Sequence, residues 1–168
     1  MAGDSVELVS YPGRTFRPTW SAGRLIPSVL PAAIEDTHRR MAAAFHPTGV
    51  AWARGNMPRT VTVFLNQQPG LSTAERRAAA REEAGQALRA YWRALEGTID
   101  PKKVEDATDN AVVGDAEEVA AQIVQRFHPE ERLMLWFDFF NHDSHRVVQN
   151  QEAFMAEVAP RVESVLGT

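Results

Sequence analysis

The sequence predicts an α/β chain built from parallel βαβ units. Three observations predict it. From residue 60 onward, short β-branched or apolar runs alternate with segments of helical periodicity. Two of those segments open on a Ser/Asp-x-x-Glu capping pattern, Ser72 with Glu75 and Asp115 with Glu118. The run Leu133 to Phe140 is apolar without alternation, the pattern of a strand covered by helices on both faces of a parallel sheet.

Taken in order, residues 1–30 read as an irregular N-terminal arm. Pro12, Pro18, Pro27 and the following Pro31 withhold the amides a central strand needs, which leaves room only for a short edge strand at Val6–Val9. Residues 31–168 form the α/β domain. Its first helix spans about Pro31 to Phe45, with Ile34, His38, Met41 and Phe45 on one face and Pro47 ending it. Thr60 to Leu65 (Thr-Val-Thr-Val-Phe-Leu) is a strand, and Asn66 to Gly70 is the loop after it. A long helix then runs from about Thr73 to Leu95, with Ala84, Leu88, Tyr91 and Leu95 inward and Gly97 as its stop. Residues 98–110 read as a polar connector. A short strand at Ala111–Val113 leads to a helix that buries Ala116, Val119, Ile123 and Phe127 before His128-Pro129. After the strand Leu133–Phe140 comes the loop Asn141 to His145. The last helix, Val147 to Leu166, carries Val147, Gln151, Phe154, Val158 and Val165 on its inner face and a kink at Pro160.

Composition narrows the function. The 168 residues contain no cysteine, which removes disulfides, thiolate metal sites and thiol nucleophiles. A net charge of −4 argues against a broad nucleic-acid surface. No apolar run approaches the ~18 residues of a membrane span, and no basic-then-apolar leader opens the chain, so a cytoplasmic location is the expectation. All but two of the 18 basic residues are arginine, Lys102 and Lys103 being the exceptions; with the abundant alanine this points to a GC-rich bacterial genome.

In parallel α/β sheets ligands bind beyond the carboxyl ends of the strands. The loop after Leu133–Phe140 is the richest candidate: Asp138 closes the strand, and His142, Asp143, His145 and Arg146 follow. His142 and His145 are the candidate catalytic residues, because imidazole moves protons near neutrality. The competing reading makes the same loop a helix cap, with Asp143 or Ser144 at the N-cap. Asp138, Arg146 and Trp136, which lies two residues before Asp138, are candidate ligand contacts, and so is Asn66 in the first loop. Gly114-Asp115 has the look of a phosphate-cradling turn, but Asp115, Glu117 and Glu118 put negative charge where an anion would sit. No metal site is expected. There is no Gly-x-Gly-x-x-Gly, Walker, Gly-x-Ser-x-Gly or His-Glu-x-x-His pattern.

Several segments resemble the luciferase-like monooxygenases. Val112-Val113-Gly114-Asp115-Ala116-Glu117-Glu118-Val119-Ala120 is similar to that family's isoleucine-glycine-serine-proline-glutamate-glutamate-valine turn. Leu133 to Asp138 resembles its final barrel strand. Glu152-Ala153-Phe154 through Glu157-Val158-Ala159-Pro160-Arg161 resembles its last helix, and Thr60 to Phe64 with the helix from Ser72 matches the preceding strand and helix. The resemblance covers about residues 58–163 and implies the second half of a (β/α)8 barrel, with Thr60–Leu65, Ala111–Val113 and Leu133–Phe139 as its last three strands. A complete barrel takes ~250 residues, more than this chain has. Asp115 stands where the family usually has serine, and no flavin-contacting residue carries over.

The resemblance implies a truncated flavin-dependent oxidoreductase using FMN or a deazaflavin on a small organic substrate. Its open half-barrel would be completed by homo-oligomerisation or a complementing chain. Two alternatives stand beside it. One is a non-catalytic assembly or small-ligand-binding module. The other is a cofactor-free isomerase or cyclase using His142 or His145.

Overall fold

The computed structural model describes residues 7–10, 16–19, 39–40, 42–43, 53–54, 59–97, 100–137 and 143–167. The expected helical residues Ile34, His38, Met41 and Phe45 lie outside them. Arg39, Arg40, Ala42 and Ala43 are helical, as that segment predicts. The arm holds two strands rather than one. β1 (Glu7–Ser10) pairs antiparallel with β2 (Phe16–Thr19), placing Leu8 opposite Pro18. Pro18 is tolerated because each strand of a two-stranded ribbon keeps one side free of ladder bonds.

The core is a three-stranded parallel sheet of β3 (Arg59–Leu65), β4 (Val112–Gly114) and β5 (Leu133–Trp136). Its order is β4-β3-β5, so β3 is the middle strand. Three successive strands of a barrel would place the second in the middle. Here the connection from β4 to β5 passes beyond β3, and the sheet is open.

Helices cover both faces because residues along each strand alternate. Val61, Val63 and Leu65 of β3 join Val112 on one face, while Phe64 and Val113 point to the other. The second face lies under α1 (Thr73–Glu96) and α2 (Pro101–Asn110), with Trp136 packed against their cluster. The first lies under α3 (Ala116–Arg126) and the carboxyl-terminal helices.

α1 begins and ends where the sequence places it. The Ser72 hydroxyl accepts the Glu75 amide at 3.3 Å, the Glu75 carboxylate accepts the Ser72 amide at 2.8 Å, and Gly97 closes the helix at φ 68°. Ala80, Ala84 and Ala87 let it approach the sheet closely beside Leu88, Tyr91 and Trp92. The expected connector 98–110 contains α2 instead. Asp100 accepts the Lys102 amide at 3.0 Å, Pro101 takes the first helical position, and Val104, Ala107 and Thr108 are buried. The inward face of α2 carries one large apolar residue and two small ones, so polar composition concealed it.

β5 departs from the expectation of a strand buried on both faces. Among the described residues it is an edge strand, and Met134 is 47% exposed. The expected strand residues 138–140 lie outside the described residues.

The last helix is broken into α4 (Ser144–Ala153), a π-helical segment at Phe154–Val158, and α5 (Ala159–Leu166). The irregularity lies upstream of Pro160, which sits in the first turn of α5; its missing amide leaves the carbonyl four residues back without a helical partner. The extra residue of a π turn resets the helical phase. Phe154 and Val158 pack inward as expected and Val162 joins them, while Gln151 and Val165 face solvent, contrary to the expectation.

Candidate functional site

The carboxyl ends of β3 and β4 support a polar layer drawn from the first loop and the starts of α1, α3 and α4. Asn66 sits at its centre as a turn residue. Its amide donates to the Gly114 carbonyl at 2.9 Å, and its side-chain oxygen accepts the Gln68 amide at 2.9 Å. Gln67 bridges outward, donating to the Glu157 carboxylate at 2.6 Å and accepting the Ala116 amide at 3.4 Å.

Asp115 is buried at the start of α3. It accepts the Glu118 amide at 3.1 Å and the Thr73 hydroxyl at 3.1 Å, with Arg76 at 4.0 Å. Its carboxylate therefore occupies the helix end that a phosphate would need, and that end does not fit the phosphate of a flavin. The capping box expected here is half formed. Glu118 does not return to the cap. One of its carboxylate oxygens lies 3.5 Å from Arg77, and the other is buried without a partner against Gly114.

Arg146 reaches across this layer from the first turn of α4. Its guanidinium grips Glu83 of α1 by both oxygens, at 2.9 and 2.6 Å, and also donates to the Leu65 carbonyl at the end of β3. It acts as a tie between two helices and the central strand. Asp143 is the N-cap of α4, accepting the Arg146 amide at 3.1 Å, which agrees with the cap reading of this loop. His145 lies beside it in the first turn of α4 and is exposed. Trp136 is half-buried against the α1–α2 cluster, opposite Thr62 in the β3–β5 register. His142 and Asp138 lie outside the described residues.

Of the described candidates, then, Asn66 and Arg146 meet in one layer through β3 and its following loop, Trp136 belongs to the core, and His145 stands at the surface. Sequence reasoning missed Glu83 and Glu157, whose partners are 63 and 90 residues away in the chain. It also missed Asn150. This residue is 1% exposed, and neither its side-chain oxygen nor its nitrogen has a partner. A polar residue among apolar neighbours at positions 147, 154 and 158 was the available signal. A cleft of about 460 Å³ lies elsewhere, between α1 and α2, floored by Gly85, Val104 and Thr108 and rimmed by Arg81, Glu82 and Arg89.

No family model matches the chain, and no curated protein matches it. Among solved structures it is similar to the monooxygenase RslO1 from Streptomyces bottropensis, with a TM-score of 0.58 and 19% sequence identity. The likeness covers 80% of this chain and 40% of that one, so the chain spans about two fifths of that monooxygenase. At this identity the likeness establishes a shared fold over the matched region. No helix among the described residues is long and apolar enough to cross a membrane.

Proposed function

We propose that this chain is an oxidoreductase relative of the luciferase-like monooxygenases, acting on a small organic substrate with FMN or a deazaflavin. Its site would be completed by a second copy or a complementing chain. The observation that carries this reading is the fold shared with a monooxygenase across 80% of the chain. The carboxyl-end layer of Asn66, Gln67, Asp115 and Arg146 supports it, because that is where α/β sheets hold ligands.

Flavin supplies the redox chemistry of this reading. At the start of α3 the described residues do not fit its phosphate. The start of α3 repels a phosphate, so the phosphate of FMN would be held elsewhere.

The test is a titration of FMN, and separately of a deazaflavin, followed by quenching of cofactor fluorescence. Saturable quenching by either is the expected result. Unquenched fluorescence with both, on protein that is folded by circular dichroism, overturns the oxidoreductase reading.

One observation favours a second reading, that of a non-catalytic assembly module. Arg146, Glu83 and Leu65 close the carboxyl end of β3 with contacts internal to the chain. The cofactor-free alternative rests on His142 and His145, of which the exposed His145 is the described member.

A further inference from the structure

We propose that the cleft between α1 and α2 binds a small amphipathic anion, an apolar chain or ring that ends in a carboxylate. The cleft lies outside the carboxyl-end layer, so this site stands or falls independently of the oxidoreductase reading.

Facing stripes of the two helices form the cleft. Ala78, Arg81, Gly85 and Arg89 recur at three- and four-residue spacing along α1, and Pro101, Val104 and Thr108 do so along α2. Its volume of about 460 Å³ lies within the range of sites for small organic molecules.

Gly85 is the residue that argues for an occupant. It sits in the interior of α1, a helix of 24 residues, where glycine is weaker than alanine. Packing does not require it. A Cβ at this position would meet the Thr108 Oγ1 at 3.7 Å and Cγ2 at 3.9 Å, both ordinary contacts. Where α1 packs into the core it uses alanine, at Ala80, Ala84 and Ala87. The missing side chain at Gly85 keeps the floor of the cleft open.

The walls set the class of ligand. Val104 is buried, and the Thr108 hydroxyl donates back to the Val104 carbonyl at 2.7 Å, so the floor offers no spare donor. The rim is charged and largely engaged. Arg81 pairs with Asp109, Glu82 accepts the Gln86 side-chain amide at 3.2 Å, and Glu105 attracts the Lys102 ammonium. Arg89 is exposed and has no ion pair among the described residues. An apolar floor beside an unpaired guanidinium suits an apolar body with a carboxylate, which a guanidinium can hold by two parallel bonds.

The experiment uses octanoate as the probe and octanamide, its uncharged counterpart of equal chain length, as the control. In the full chain labelled with nitrogen-15, octanoate is expected to shift the backbone amide resonances of Gly85, Val104 and Thr108 saturably. Octanamide is expected to bind about tenfold more weakly, and Arg89→Gln to weaken octanoate by the same factor. Gly85→Leu, which fills the floor, is expected to abolish the response at Val104 and Thr108. Without ligand, Gly85→Ala is expected to unfold at a higher temperature than the wild type.

Resonances of these three residues that do not respond to millimolar octanoate overturn the site, and that measurement needs no variant. Equal octanoate affinity in Gly85→Leu overturns the cleft as its location. Equal affinity for octanamide overturns the anionic class of the ligand. A lowered unfolding temperature for Gly85→Ala would show that packing needs the glycine, and it removes the argument for an open floor.

Discussion

Glu75 shows how much of one helix end rests on two residues. The Ser72 hydroxyl and amide both bond its carboxylate and hold it below the ordinary glutamate value of 4.5. A carboxylate whose acidity is raised by folding contributes stability that is present above that ordinary value and is lost as pH falls through the lower folded value. The amide protons of the first turn of α1 are therefore expected to exchange faster as pH drops below 4.5, after correction for intrinsic exchange. Ser72→Ala is expected to cost about 1 kcal/mol in urea denaturation. An unchanged midpoint would show that the cap is energetically idle.

Gly114 is the other residue whose identity the structure explains. Its φ of 140° is unusual for any residue with a side chain, and an added Cβ would lie 2.9 Å from the Glu118 Cβ. As sequence, Gly114 reads equally well as a phosphate turn. The buried Asp115 and the packed Glu118 make it a tight passage into α3 instead.

At the scale of elements, helix starts were the most legible feature. Ser72, Asp115 and Asp143 each cap the helix expected to follow, because a cap bonds residues two or three positions away. α2 was missed despite its own cap, since its polar outer face outweighed Val104, Ala107 and Thr108. The π segment at Phe154–Val158 was missed for a different reason: a π turn leaves the local composition unchanged and shifts only the phase.

Arg146 links three elements that lie far apart in the chain. Both it and Glu83 are about a quarter exposed, so solvent weakens the pair below the value of a fully buried one. A double-mutant cycle of Arg146→Ala and Glu83→Ala is expected to give a coupling energy of about 1 kcal/mol. Strict additivity of the single changes would remove the tie between α1 and α4.

For the whole molecule, the two sheet edges are treated differently. Along β4 the Gln122 side chain donates to the Val113 carbonyl at 2.7 Å and accepts the Val113 amide at 3.4 Å, replacing a neighbouring strand. Arg126 adds bonds to the carbonyls of Asn110 and Ala111. At β5, Met134 is exposed, and Val148 and Met155 add apolar surface on the carboxyl-terminal helices. The proposed association would cover the β5 edge. Native mass spectrometry at micromolar concentration is expected to show a dimer or larger species, and a clean monomer would remove the homo-oligomeric form of the proposal.

The sequence by itself determined the alternation of strands and helices, their parallel βαβ character, and where α1 and α3 begin. These depend on periodicity and on bonds spanning a few residues, and both are written locally. Only the tertiary structure decided that β3 lies between β4 and β5, that Gln122 finishes an edge, that Arg146 finds Glu83, and that Asn150 is buried without a partner. Each of those outcomes is set by which surfaces meet across long stretches of chain. Packing chooses among such meetings by shape and burial summed over many residues, and no short run of sequence carries that sum.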